Sequence, residues 1–270
     1  MLNTRERFRS NYALIIGILL LMALFVAAGK AAALSEGINF ANGEPPTFIS
    51  ACPILVTAIH PKKDNTLYEP IINPPIKSNG AGNYIFAGNT DGFGARRALV
   101  SFDIAGNILK NSTIISTTLD LHMSKTIIGD QTVSLHKLFA DWGEGTSDAL
   151  GEEGMGAAAT EGDATWQHTF YSSTTWSNEG GDFASTASVT QTVGFAGSYT
   201  WGTSSGMVED VQGWLQDPGS NYGWIILGRE NLIPTAKRFD SRENPIESNR
   251  PRLNVAYIPP TCIFLPAAVK

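Results

Sequence analysis

Acidic side chains, tryptophans and four histidines are the groups through which this sequence could do chemistry. Asp141, Glu144, Asp148, Glu152, Glu153, Glu161 and Asp163 crowd into one stretch whose glycines leave backbone carbonyls accessible. Hard cations take about six to eight oxygens, carboxylate and carbonyl mixed, so the stretch reads as a calcium loop with Asp141, Glu144, Asp148 and Asp163 as ligands. It has no D-x-D-x-D-G spacing, and a merely solvated acidic loop is the alternative. Asp240 and Glu243 offer a carboxylate pair of the kind glycoside hydrolysis uses at a separation of roughly 5–10 Å. Arg238 and Arg242 flank them, however, and a neighbouring guanidinium lowers a carboxyl pKa and makes a poor general acid. Arg238, Asp240, Arg242 and Glu243 are therefore expected to form structural ion pairs at a sheet edge.

Gly202-Thr203-Ser204-Ser205-Gly206 fits G-x-S-x-G, but a nucleophile elbow needs a general-base histidine later in the chain. His60, His122, His136 and His168 all precede it, so a serine-capped turn into a helix is expected instead. No H-E-x-x-H and no cysteine cluster marks a zinc site. His122 and His136, on the polar faces of two strands, form a weak zinc site if those strands are neighbours, and are otherwise plain exposed histidines. No residue is assigned a catalytic role.

Sugar binding needs aromatic faces for stacking, with planar donors and acceptors around them. Six tryptophans and Tyr171 fall between positions 142 and 224. Trp214 and Trp224 belong to apolar periods and read as core. Tyr171 and Trp176, in a Ser/Thr/Asn-rich loop, are the candidate stacking faces. A uronate polymer also requires cations, which Arg96, Arg97, Lys125 and Lys137 supply if their strands adjoin.

Positioning these residues falls to short strands. Between positions 59 and 257 apolar residues recur at alternate positions, in runs bounded by Gly, Asn, Asp and Pro, the signal of a half-buried strand. Ala98, Val100 and Phe102 alternate with Arg97, Leu99 and Ser101. Leu119, Leu121 and Met123, then Val133 and Leu135, then Leu253, Val255 and Tyr257 repeat the pattern. A one-residue slip would bury the polar set, so register is well specified. The uniformly apolar 222–227 segment reads as a central strand covered on both faces. Met207, Val208, Val211, Trp214 and Leu215 follow helical spacing, with Ser204 or Ser205 as N-cap and Pro218-Gly219 beyond the end. Many short strands without βαβ alternation predict an all-β fold, an antiparallel, jelly-roll-like β-sandwich with one short helix. Residues 34–58 read as a linker, 59–258 as the sandwich and 259–270 as a tail. The 143–162 loop has the length that in compact domains is functional or mobile.

Arg5, Arg7 and Arg9 precede an uncharged run over residues 13–29, with Ala31-Ala32-Ala33 beyond it. Basic, apolar and small segments in that order make an export signal. The run is slightly shorter than the ~20 residues a bilayer needs; cleavage and retention of residues 1–33 as an anchor both stay open. Either way the rest of the chain works outside the cytoplasm, and any membrane contact runs through this segment alone. In an oxidising compartment Cys52 and Cys262, which bracket the domain, are expected to form a disulfide. Residues 1–33 hold four of the 19 basic residues (Arg5, Arg7, Arg9, Lys30) and one of the 25 acidic ones (Glu6), so 15 and 24 remain, a net charge of −9 with histidine neutral. That argues against nucleic acid as a partner, which requires a basic face.

Several segments, in order, resemble a known family. They are Arg96-Arg97-Ala98-Leu99-Val100-Ser101-Phe102-Asp103-Ile104, Thr118-Leu119-Asp120-Leu121, Asp141-Trp142-Gly143-Glu144-Gly145 and Ala164-Thr165-Trp166. Val208-Glu209-Asp210-Val211-Gln212-Gly213-Trp214, Asn221-Tyr222-Gly223-Trp224, Phe239-Asp240-Ser241-Arg242-Glu243 and Arg250-Pro251-Arg252-Leu253-Asn254-Val255-Ala256-Tyr257 complete the series. Over residues 59–257 the chain thereby resembles the DNRLRE-type domain, whose members look like β-sandwich modules of secreted or surface proteins of bacteria and archaea. Part of that group is classed as carbohydrate-binding, with alginate-type uronate polymers among the ligands. The resemblance implies a non-catalytic module for extracellular polysaccharide. The 143–162 loop is longer than that pattern leads one to expect. A structural or adhesive surface protein without a sugar ligand, and a jelly-roll polysaccharide lyase or hydrolase, are the other readings.

Overall fold

Alternating apolar residues bounded by turn formers do become strands. The computed structural model describes residues 48–71, 75–92, 94–261 and 263–266, and residues 48–265 make one compact unit. The expected export segment at 1–33 and Cys262 lie outside the described residues, so the expected bridge from Cys52 falls there as well. Among the described residues no helix is long and apolar enough to cross a membrane.

The first strands are β1 (Phe48–Ala51), β2 (Leu55–Ile59), β3 (Pro61–Tyr68), β4 (Lys77–Ser78), β5 (Tyr84–Asn89) and β6 (Ala95–Phe102), followed by one helical turn, α1 (Ile104–Asn107). Next come β7 (Thr113–Thr126), β8 (Gln131–Lys137), β9 (Ala157–Ala158), β10 (His168–Phe170), β11 (Thr174–Thr175), β12 (Val189–Val193) and β13 (Gly197–Gly202). Helix α2 (Ser205–Gln216) precedes β14 (Trp224–Leu227), β15 (Lys237–Asp240), β16 (Arg252–Ile258) and β17 (Ile263–Pro266).

Antiparallel pairing joins eleven of these strands into one curled sheet that folds over as two layers. One layer runs β12-β8-β14-β6-β3. In the other, the 14-residue β7 is long enough to carry β13 on one edge and both β16 and β15 on the opposite edge. Beyond them lie β2, paired with β16, and β5, paired with β15. The layers are continuous where β5 reaches β6, Gly88 opposite Arg96. β2 thus belongs to the sheet although its residues carry no alternation that separates them from the 34–58 linker. β1 pairs with β17, so the strands that flank positions 52 and 262 are neighbours.

The main core fills the space between the layers with the alternating set read from the sequence: Ala98, Val100 and Phe102 against Leu119, Leu121 and Met123, with Leu253 and Val255. Helix α2 closes it. Ser204 Oγ accepts the N–H of Met207, and Met207, Val211, Trp214 and Leu215 face inward. The G-x-S-x-G segment is this serine-capped turn.

A second core lies on the reverse face of the first layer. Leu67, Leu99 and Ile225 point away from the main core, yet all three are fully buried. Trp142, Trp166, Trp176 and Leu138 cover them, brought by the long excursion between β8 and β12. β6 is therefore buried on both faces, and Leu99 is not part of a solvent-facing set. β14 is covered on both faces, as its uniform apolarity implies.

The 143–162 loop belongs to this cover. β9 pairs with β4, Asn65 Nδ2 donates to Glu144 O (2.7 Å), and Ala149 N donates to Asn79 Oδ1 (2.8 Å). Small residues let the loop lie this close. Gly145 holds φ +72°, and a Cβ there would overlap the Asp163 carboxylate. Gly145→Ala is expected to cost about 2–4 kcal/mol, from left-handed strain plus the overlap, and to open the loop to protease. Denaturant unfolding and limited proteolysis read both effects; an unchanged midpoint with unchanged digestion contradicts this close packing.

Candidate functional site

The end of β3 and the start of β6 build a cleft of about 320 Å³. Tyr68, Ile71, Pro75, Ile76, Met155 and Trp166 give it an apolar floor, and Glu69, Lys77, Arg96 and Gln167 its polar rim. The walls are held before any ligand arrives. Tyr68 Oη donates to Glu153 O (3.0 Å), Ala95 N donates to Glu69 Oε2 (2.7 Å), and Arg96 Nε donates to Gly154 O (3.1 Å) while its guanidinium lies 4.8 Å from the Tyr68 ring centre. Burial raises the Tyr68 hydroxyl pKa and keeps it a neutral donor. A largely apolar, preformed hollow with a few convergent polar groups suits a small ligand or one unit of a polymer.

Of the six residues expected to bind sugar, Arg96 alone lines this cleft. Trp176 is not an exposed stacking face. It is 5% exposed and its Nε1–H donates to Thr165 O (2.8 Å), because the loop carrying it wraps back over Leu99 and Ile225. Tyr171 is half-buried and edge-on to His168, with ring centres 5.2 Å apart. Nor do the four cations form one patch. Arg97 binds Glu230 through two 2.8 Å bonds and stacks on Trp166 at 4.5 Å. Lys125 pairs with Glu152 (2.9 Å), and Lys137 lies 3.7 Å from Asp210. Arg97 and Lys137 belong to one layer and Lys125 to the other, each neutralised locally.

The expected calcium ligands do not converge either. Asp141 pairs with Lys63 (2.6 Å), Asp148 is exposed, and the buried Asp163 accepts from Ser147 N and from Thr160 N and Oγ1, which ties its own loop. Glu144 instead meets two residues from elsewhere. Asp64 on β3, Glu144 and Glu243 each bring a carboxylate oxygen within 4.8 Å of the others. Asp64 Oδ2 accepts the N–H of Arg242 (2.8 Å), and Arg242 Nη1 bridges Glu144 (3.1 Å) and Glu243 (2.8 Å). Burial, then the neighbouring Glu243, pushes the Asp64 carboxyl well above the usual carboxylate range; burial raises Glu243 too.

No family model matches this sequence, and neither does any curated protein.

The expected four-residue ion-pair group is dispersed, although Arg242 and Glu243 do pair. Arg238 turns to Glu152 (2.6 Å) and lies 3.8 Å from the Tyr84 ring centre; Asp240 bonds His122 Nδ1 (2.6 Å). The reason is placement: β15 lies between β5 and β7, so its side chains meet partners on both flanks instead of solvent at an edge. His136 lies on β8 in the other layer, bonded to Ala184 O and Ser134 Oγ, so no histidine pair forms. Sequence reasoning missed Asp64, Tyr68, Lys77 and Gln167. Asp64 sits in Lys62-Lys63-Asp64-Asn65-Thr66, a polar run with no alternation, and only the buried face of β3 distinguishes it.

Proposed function

We propose that this chain is an exported, non-catalytic β-sandwich module that binds extracellular polysaccharide, with the Tyr68–Trp166 cleft as its contact. The observation that carries this reading is the cleft itself: an apolar floor edged by Glu69 just after β3, Lys77 on β4, Arg96 on β6 and Gln167 just before β10. Sugar rings present C–H faces and a girdle of hydroxyls, and such a hollow offers counterparts to both. The basic and apolar N-terminal segment supports export, and the resemblance to the DNRLRE-type domain supports the polysaccharide. Lys77 gives the rim a cationic side for uronate units, with the buried Arg96 guanidinium, bonded to the Gly154 and Ala95 carbonyls, behind it. Since Arg97, Lys125 and Lys137 are committed to carboxylates, affinity rests on the floor more than on charge.

Affinity electrophoresis of the chain through gels holding alginate or neutral glucans tests this, with parallel assays for new reducing and unsaturated ends. Retardation without new ends is expected. The double variant Lys77→Ala/Gln167→Ala, which leaves the floor intact, should weaken it about tenfold, the loss of one to two hydrogen bonds including a charged one. Equal mobility in every gel supports a structural or adhesive role instead, and new chain ends a lyase or hydrolase.

A further inference from the structure

Asp64 is 1% exposed, and its Oδ1 has no donor. Glu243 Oε2 is buried with no donor as well. These oxygens belong to the two carboxylates that meet Glu144, so two acceptors of one group lack a hydrogen-bond donor. Buried polar atoms in native proteins are nearly always satisfied, by protein, water or an ion. Charge sharpens the point. In their carboxylate forms Asp64, Glu144 and Glu243 would set three negative charges around the single guanidinium of Arg242.

We infer that Asp64, Glu144 and Glu243 seat a divalent cation of the calcium class. The donors are all oxygen, which selects hard cations. The three ligand atoms lie within 4.8 Å of one another, close enough for one cation to reach all three at calcium–oxygen distances of about 2.3–2.6 Å. Arg242 holds Glu243 Oε1, and the orphaned Oε2 is left for the ion. The three ligands come from β3, from the loop that covers it and from the turn after β15, so the cation joins segments remote in sequence. Only Glu144 is shared with the calcium loop expected from the sequence, and the inference does not depend on the polysaccharide reading.

Equilibrium dialysis and thermal unfolding of the full chain test it, near neutral pH, with chelator or calcium chloride. One ion per chain is expected, with a melting midpoint raised by roughly 5–10 °C at hundredfold excess over Kd. Asp64→Asn should fold and lose the calcium response, while Asp148→Asn retains it. Should Asp64→Asn fail to fold, Glu243→Gln, at a partly exposed position, serves the same purpose. Equal midpoints in chelator and calcium overturn the inference, as does a response that survives both Asp64→Asn and Glu243→Gln. A midpoint that rises only on acidification also overturns it, being the mark of a proton shared between the carboxylates.

Discussion

Trp224→Ala is expected to lower the unfolding free energy by about 3–5 kcal/mol, the range for truncating a buried large aromatic. Trp224 is fully buried on a strand covered on both faces. Its ring meets Trp214 of α2 edge-on, with centroids 4.6 Å apart, and Phe102 of β6 at 6.4 Å. Its Nε1–H donates to Asp210 Oδ2 (2.8 Å), which also accepts from Ser188 Oγ (2.5 Å). One side chain thus fastens the helix to the sheet by packing and by a polar bond. Trp224→Phe separates the two: it keeps most of the packing, loses the donor to Asp210, and should cost about 1–2 kcal/mol. Urea titrations of both variants measure this. With total stabilities of about 5–15 kcal/mol for such domains, the alanine variant should be partly unfolded at physiological temperature. A loss below about 1 kcal/mol would mean that α2 is not sealed by this contact.

Lys237→Met should cost a comparable amount, about 3–5 kcal/mol, although it keeps the side chain's length and apolar stem. Lys237 is fully buried on β15. Its ammonium donates to Ile128 O (2.8 Å), Gly129 O (2.7 Å) and Gly194 O (2.7 Å), carbonyls of the turns that follow β7 and β12. Without it the buried Gly194 carbonyl and the part-buried Gly129 carbonyl lose this donor, while Ile128 O keeps Thr126 Oγ1 (3.0 Å); each loss costs about 1–3 kcal/mol before water relieves part of it. Because volume hardly changes, a large effect reports the polar clamp and not a cavity. Hydrogen exchange should show the loss first in both turns. A neutral Lys237→Met would show that water replaces the ammonium freely.

These two residues show what the sequence conveyed. Trp224 stands in an apolar run and was legible as core, as were the register of β6, β7, β8 and β16 and the capped helix α2. Period two is imposed by the pleat itself, so it survives in the sequence. Lys237 carried no such mark. A buried lysine is defined by carbonyls of turns more than 40 residues away in sequence, which local pattern does not encode. The second core hid for the same reason. Leu99 alternates correctly for a solvent-facing position, and only the excursion bearing Trp142, Trp166 and Trp176 turns that face inward. Having placed Leu99 outside, period-two logic also left Trp176 free to look exposed. The acidic loop drew attention to Glu144, but its partners Asp64 and Glu243 lie 80 and 99 positions away, and spacing motifs do not reach so far. The cleft combines residues from β3, the segment after it, β6 and the excursion, and no local pattern within any one of these shows that they meet.

Hydrogen–deuterium exchange of the chain with and without the polysaccharide that retards it in gels bears most directly on the claim that the Tyr68–Trp166 cleft is a sugar contact. Slower exchange is predicted in peptides spanning residues 68–71, 75–77, 94–96, 153–156 and 166–167, with the far ends of β7 and β16 unchanged. Protection confined to the 171–176 loop or to the Lys137 face, or none at saturating polymer, would contradict it.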